Sequence, residues 1–513
     1  MTNSHTLFHD QLDNKYFPNW IIITICTLIF AGLQILGSFS SLFVLEGYLP
    51  IGSSSIVTAT IRVILMGMSL GWIIYFIYQK NYFPFEKFSI SILVILILLA
   101  MRFIYDAYIG HFIYPESFSR SVVRFLLYFG FLVLPTIFLV NGISRSNGKK
   151  IILYICILSF ITTVGLYFFW GYYFCQGITI KSMVTSYPTI EKYVILKEKM
   201  GNDNYFNSFL SAIHALETIS YAVSIIFWAS INKTISIKVF LPLYIFFLLP
   251  CYASSTRSTL LMIIISHCLA AVFSSYKNSF TFWSKILLVI VCHLICLFIF
   301  MGNKDTNRTM TILGRWTQVV SMRSDATILN NNDKEIENKK TKIEDKEVEI
   351  KDKEVEIKDK ETKIKNDSEL SIKINSDTYL IIKNIRFFIW KHCLERIYKS
   401  PITGDGLYIV DNLLNRKKDK NWNTHPHNVV IQVFMGLGIF GGTLFLFILG
   451  RGILDAITCL YVTPEMGWLS ILFFMVIIRS LLWTDIVRDY QLWFLLIALR
   501  ANTVHLYSAR HKK

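Results

Sequence analysis

Apolar residues run in long blocks along nearly the whole chain, separated by short polar segments. Blocks of about 18 to 25 apolar residues form helices able to cross the ~30 Å of a bilayer's hydrocarbon. The pattern predicts spans at Trp20–Gly37, Ile56–Tyr78, Phe88–Ile109, Ser121–Asn141 and Ile151–Gly171, then at Asn207–Ile231, Ile235–Ala253, Thr256–Ser275 and Trp283–Met301. Beyond a long polar segment come Asn428–Gly450, Gly467–Trp483 and Tyr490–Tyr507. The expected architecture is therefore an all-α polytopic membrane protein of about 12 transmembrane helices with one large outer loop. Its divisions are 1–301 for the first nine helices, 302–427 for the loop and 428–513 for the last three.

Composition agrees: 53% of the 513 residues are hydrophobic and only 17% are charged, so the charges must be segregated. Lys80, Lys87, Arg145, Lys149, Lys150, Lys233, Lys238, Lys277, Lys285, Arg451 and the basic C-terminal tail all fall on one side if the N-terminus is inside. Basic loops stay cytoplasmic, so both termini are expected inside and the large loop outside. The net charge of +16 partly reflects this bias and requires no nucleic-acid partner. The first residues lack a basic region and a small-residue cleavage site, so the first span is expected to be retained. Most of the nine cysteines lie inside spans, where the thiol acts as a small hydrophobe. Cys175 and Cys393 alone fall in outer segments and are expected as two free thiols. No metal-ligand spacing is present, and neither metal nor cofactor is expected.

The outer loop contains a charged insert, at about 330–370, whose repeat "IEDKEVE IKDKEVE IKDKETK" has a seven-residue period. Its apolar positions step by five and two rather than three and four, which excludes a coiled-coil seam and predicts a solvated charged helix or a disordered insert. Further on, Phe388, Ile389, Cys393, Leu394 and Ile397 recur at helical spacing, predicting an amphipathic helix over Ile385–Tyr398 that starts next to Arg386. "SPITGDGL" ends it: Pro401 cannot continue a helix, and Gly404 and Gly406 permit a tight turn.

Arg62, Arg102, Arg124, Arg257 and Arg479 map to the outer halves of their spans, opposite to the positive-inside bias. A guanidinium there needs a snorkelling route, a partner or an anionic ligand. Arg257 is the clearest candidate for anion binding, because Ser254, Ser255 and Thr256 can cap the helix it opens, and a helix N-terminus beside an arginine suits phosphate. The other four are weaker candidates for substrate binding.

"NTHPHNVVIQVFMGLGIFGG" sets His425 and His427 at the entrance of a span. Pro426 biases His425 to an extended conformation, and Asn428 is a good N-cap, which puts His427 at the helix start. The positive end of a helix disfavours imidazolium, so the ring there is suited to accept a proton from a hydroxyl. Gly438 and Gly442 form a G-x-x-x-G face expected to allow close helix contact.

These residues resemble a family. The run from His427 to Gly441 is similar to the His-Asn, spacer, Gly-x-x-Gly signature of bacterial O-antigen ligases and the related O-antigen polymerases and O-linked oligosaccharyltransferases. "STR" at Arg257 and "IRFFIW…SPITGDG" after Arg386 extend the resemblance, as do the dozen spans and the single large loop. The resemblance implies an inverting glycosyltransferase of the inner membrane, working at the periplasmic face. Its donor would be a polyprenyl-pyrophosphate-linked glycan and its acceptor the lipid A-core oligosaccharide. His427 would activate the acceptor hydroxyl, while Arg257 and Arg386 stabilise the leaving pyrophosphate. His425 and Asn428, with Thr424 and Trp422, would shape the acceptor site. A surface-polysaccharide polymerase and a protein O-oligosaccharyltransferase remain alternatives within the same chemistry. A polysaccharide or lipid transporter is the alternative outside it, and it would predict internal repeats and broken helices.

Overall fold

The computed structural model describes residues 19–33, 35, 59–61, 63–64, 67, 78, 87–109, 143–170, 204–232, 235–253, 257–273, 280–301, 389–408, 426–482, 484, 486 and 489–511. Their regular structure is helical, with short turns such as 400–408 between helices and no strand among them. The helices are α1 (Asn19–Thr27, continued by a π turn over Leu28–Gly32), α2 (Lys87–Tyr108), α3 (Arg145–Trp170), α4 (Asn204–Ile231), α5 (Ile237–Ala253), α6 (Arg257–Phe273) and α7 (Phe280–Met301). After the long loop come α8 (389–399), α9 (Val429–Val462), α10 (Gly467–Leu482) and α11 (Tyr490–His511). The chain forms two compact units, Met1–Asn303 with Cys393–Lys513, and Lys304–His392. Of the second, the described residues are only 389–392, the opening turn of α8.

Among the described residues three helices are long and apolar enough to cross a membrane: Ser146–Gly165, Val429–Val462 and Pro464–Leu482. Shorter apolar helices accompany them at Asn19–Gly32, Leu216–Ile231, Ile237–Tyr252, Thr259–Phe273 and Phe282–Leu297. The spans expected at Ile56–Tyr78 and Ser121–Asn141 lie largely or wholly outside the described residues, as does the charged repeat. The interior is built around α4, α10 and α11. Residues Gly467 to Val476 of α10 are buried without interruption, and Trp468 and Trp493 are fully enclosed. Gly467 is small of necessity, since a Cβ there would stand 2.2 Å from the Trp228 ring. Outward faces are as apolar as the core: Phe440, Phe447 and Leu454 of α9 and Leu287 and Leu294 of α7 are exposed. Such a surface suits a lipid surround.

Polar side chains inside the bundle join neighbouring helices, as expected where hydrophobic force between helices is absent. Ser224 and Ser266 hydroxyls meet at 2.9 Å between α4 and α6, and Ser470 donates to the Ala456 carbonyl at 2.8 Å between α10 and α9. Between α5, α6 and α7, the Tyr244 hydroxyl lies 2.9 Å from His293 Nε2 and 3.4 Å from His267 Nδ1, while the Tyr252 hydroxyl lies 2.7 Å from His293 Nδ1.

Helix α9 departs from the expected span. It continues past Gly450 to Val462, because Arg451 is held inside the helix by Asp455 one turn on (3.4 Å), which Arg500 of α11 also approaches at 3.3 Å. It is also broken: Gly438 has φ 67° and ψ −165°, which splits the helix into 429–437 and a longer second part. Broken helices are the feature expected of a transporter, and α9 carries one break.

Candidate functional site

At the break in α9 the Met435 carbonyl and the Ile439 amide, which would bond to each other in a continuous helix, bond elsewhere. The turn over 400–408 supplies both partners. Ile439 N–H donates to the Pro401 carbonyl at 2.7 Å, and the Met435 carbonyl accepts from Asp405 N–H at 2.7 Å and Gly406 N–H at 3.3 Å. Such an approach requires glycine on both sides. A Cβ on Gly438 would lie 2.1 Å from the Ile402 carbonyl oxygen, and one on Gly404 (φ 71°) would lie 2.5 Å from the Gly436 carbonyl. The small residues expected to seat another helix are thus used otherwise: Gly438 receives a loop, and the space beside Gly442 is taken by Phe434 of the same helix.

The turn is fastened from three further directions. Arg396 of α8 donates through Nε to Asp405 Oδ2 at 2.5 Å, and to the carbonyls of Asp405 and Tyr408 at 2.8 and 3.0 Å. Asp106, in the last turn of α2 and only 1% exposed, accepts Leu407 N–H at 2.7 Å. Gln432 of α9, fully buried, donates to the Leu407 carbonyl at 3.3 Å and accepts Ile486 N–H at 2.8 Å from the segment between α10 and α11.

His427 stands at the start of α9 with φ 55°, a left-handed conformation that histidine tolerates better than most residues and that commonly marks functional positions. Asn428 caps the helix as expected. Its backbone is extended, and its side-chain oxygen accepts from Val430 N–H at 3.0 Å and Ile431 N–H at 3.1 Å. Asn428 is therefore engaged in holding the helix that His427 precedes. Arg257 is the first residue of α6, which places its backbone at a helix N-terminus, where free amides favour an anion. Its side chain is outside the described part of the structure. Arg62, Arg124, Arg386 and His425, together with Trp422 and Thr424, lie outside the described residues.

The two remaining arginines have protein partners. Arg102 pairs through Nε with Asp106 Oδ1 at 2.8 Å and lies 5.4 Å over the Tyr105 ring, so it braces the carboxylate that holds Leu407. Arg479 is 6% exposed and enclosed by acceptors: Glu217 Oε2 at 3.3 Å, Asp489 Oδ1 at 2.5 Å, the Tyr221 hydroxyl at 3.1 Å, and Gln491 Oε1. Asp489 also accepts from Ser480, and Gln491 donates to the Ile29 carbonyl at 2.8 Å. The Arg479 guanidinium joins α4, α10 and the start of α11 through Nη1 and Nη2, while its Nε is buried without a hydrogen-bond partner among the described residues. Substrate binding by Arg479, expected from its position in the sequence, has no support in this geometry.

Sequence reasoning missed Asp106, Gln432, Arg396 and Asp405. A signal existed for the first two, since each is a polar residue in an otherwise apolar stretch, and Asp106 follows Arg102 by one helical turn. Cys393 is a buried free thiol, and burial pushes it up to about 12 despite nearby Arg396, which leaves it unreactive near neutral pH. Cys175 lies outside the described residues. Among the described residues no group of three or more His, Cys, Asp or Glu is placed to hold a metal ion.

Against this geometry, residues 242–446 match the family model described as O-antigen ligase. The matched stretch contains Arg257, Arg386, His427 and the break at Gly438, and excludes Arg62, Arg102, Arg124 and Arg479. No curated protein and no solved structure matches the chain.

Proposed function

We propose, from the match of residues 242–446 to the O-antigen ligase family model, that the chain transfers a polyprenyl-pyrophosphate-linked glycan to the lipid A-core oligosaccharide at the periplasmic face of a bacterial inner membrane. The family is one of membrane glycosyltransferases, and the apolar exterior of the bundle suits a donor with a lipid tail. The observation that carries the reading is His427, held in a left-handed conformation at the head of a capped helix whose first turns are locked to the 400–408 turn.

In this reaction the neutral His427 imidazole takes the proton of the acceptor hydroxyl as that oxygen attacks the anomeric carbon of the donor. The new glycosidic C–O bond forms as the bond from the anomeric carbon to the pyrophosphate oxygen breaks. The electron pair leaves on the pyrophosphate, and the configuration inverts. Arg257 at the α6 N-terminus and Arg386 neutralise the charge developing there, with guanidinium forks matched to phosphate oxygens. His425 and Asn428 flank the acceptor, and Arg62 and Arg124 belong to the outer rim of the donor site.

The test is replacement of His427 by Ala in cells lacking their own copy, followed by electrophoresis of lipopolysaccharide. Core glycolipid without attached polymer is expected, together with accumulation of polymer on the carrier lipid. Normal attachment by a stably inserted His427→Ala protein would end the assignment. Loss of the chain that instead left single repeat units on the core would identify a polymerase. Arg257→Lys keeps the charge and loses the fork; wild-type transfer by that variant would exclude bidentate phosphate binding.

A further inference from the structure

The break at Gly438 separates the part of α9 that leads to His427 from the part long enough to anchor in the membrane. A helical segment as short as 429–437 has little stability of its own, and across a break it is not aimed by helical continuity. Its direction is therefore set by side contacts. With a rise of ~1.5 Å per residue, roughly 16 Å separate Gly438 from His427, so a swing of about 10° at the break moves the imidazole by about 3 Å.

Besides the backbone bonds at the break and the apolar packing of the segment, the buried hydrogen bonds of two side chains, Gln432 and Asp106, act on that swing. Gln432 ties the segment on one side to the Leu407 carbonyl (3.3 Å) and on the other to the Ile486 amide (2.8 Å). Asp106 of α2 holds the other end of the same residue, accepting Leu407 N–H at 2.7 Å. Leu407 is thus gripped at both its backbone groups, and its side chain fills the space beside Gly436, where a Cβ would stand 2.4 Å from Leu407 Cδ2. All of these groups are buried, so no water competes for the bonds.

We propose that Gln432 and Asp106 are positioning residues that aim His427, acting through Leu407 and the segment at Ile486. The inference rests on His427 being the base in the transfer reaction. Neither residue touches substrate; each acts by fixing the swing of the 429–437 segment. Because a misplacement of ~1 Å can cost on the order of 100-fold in rate, loss of either restraint lowers kcat and leaves donor affinity nearly intact.

The experiment uses the purified full chain. Carrier-linked glycan and unsubstituted core glycolipid, both extracted from cells lacking this protein, serve as the probes. Gln432→Met keeps the volume and removes both hydrogen bonds. Its kcat, normalised to folded monodisperse protein, is expected to fall about 10- to 100-fold, with KM for the donor changed less than about threefold. Asp106→Asn retains an oxygen for Leu407 N–H and is expected to keep kcat within about threefold, whereas Asp106→Leu falls as Gln432→Met does. A folded Gln432→Met enzyme with wild-type kcat, or one whose loss is wholly in KM, overturns the proposal. If Gln432→Met does not fold, the Asp106 pair decides: Asn and Leu variants equally impaired, or equally active, overturn it. A fully active His427→Ala enzyme would defeat the proposed function. An inactive His427→Ala beside a wild-type Gln432→Met defeats this inference alone.

Discussion

Replacing Gly438 by Ala tests the architecture of the site most directly. At φ 67° and ψ −165°, a region open essentially to glycine alone, an alanine costs ~1–3 kcal/mol in backbone strain, and its Cβ would stand 2.1 Å from the Ile402 carbonyl oxygen, too close to be accommodated. The turn must therefore leave, and the three hydrogen bonds it makes at the break, at ~1 kcal/mol each, go with it, about 3 kcal/mol in all. The cheaper response is for α9 to straighten. One helical bond, Ile439 N–H to Met435, is then regained at ~1 kcal/mol, and alanine contributes up to ~1 kcal/mol more than glycine in a helix. Global stability should fall by only about 1–2 kcal/mol, but the 400–408 turn loses its own ~3 kcal/mol of protection, equivalent to roughly 100-fold faster amide exchange at Asp405 and Gly406. Straightening also swings His427 away, so transfer should drop by ~100-fold or more. Hydrogen exchange followed by mass spectrometry of the 400–408 peptide reads the first effect, and lipopolysaccharide electrophoresis reads the second. Gly450→Ala is the control, since nothing lies within 4 Å of its Cβ position. A folded Gly438→Ala protein whose 400–408 peptide exchanges at the wild-type rate would refute the lock between turn and break.

Other outcomes follow from the same geometry. Arg479→Ala leaves Glu217 and Asp489 buried around a missing charge, a loss of ~3–5 kcal/mol, so the chain should fail to accumulate while His427→Ala accumulates normally. A stable Arg479→Ala protein with weakened donor binding would return Arg479 to the substrate site. The Cys393 thiol, raised from the ordinary value of 9.0 to about 12, favours the folded state in its protonated form. That contribution is fully present below pH 9 and is lost as pH rises towards 12. Alkylation of Cys393 at pH 8, followed by mass spectrometry, should therefore be far slower in the native chain than after denaturation, and equal rates would contradict its burial. Deleting the charged repeat, Ile343–Lys363, should leave transfer intact; an inactive but stably inserted deletion would give the insert a role.

What the sequence determined by itself is local. Hydrophobic blocks dictate membrane helices because a backbone in hydrocarbon must satisfy its own hydrogen bonds, and α2, α5, α7 and α10 lie where the blocks predicted them. Asn428 was legible as an N-cap, and Pro401, Gly404 and Gly406 as a turn, because caps and turns depend on a few adjacent residues. What only the tertiary structure decided is pairing across the chain. Spacing cannot show that the PITGDG turn enters a break in α9, since the partners of Met435 and Ile439 come from 29 to 38 residues away and a glycine pair reads equally well as helix packing. Nor can it separate an arginine awaiting an anion from one already surrounded. Arg479 and Arg257 look alike as cations at the ends of apolar runs, and only folding brings Glu217 and Asp489 to the first of them. A charge is read from one residue, but its satisfaction depends on neighbours that the chain assembles only when it folds.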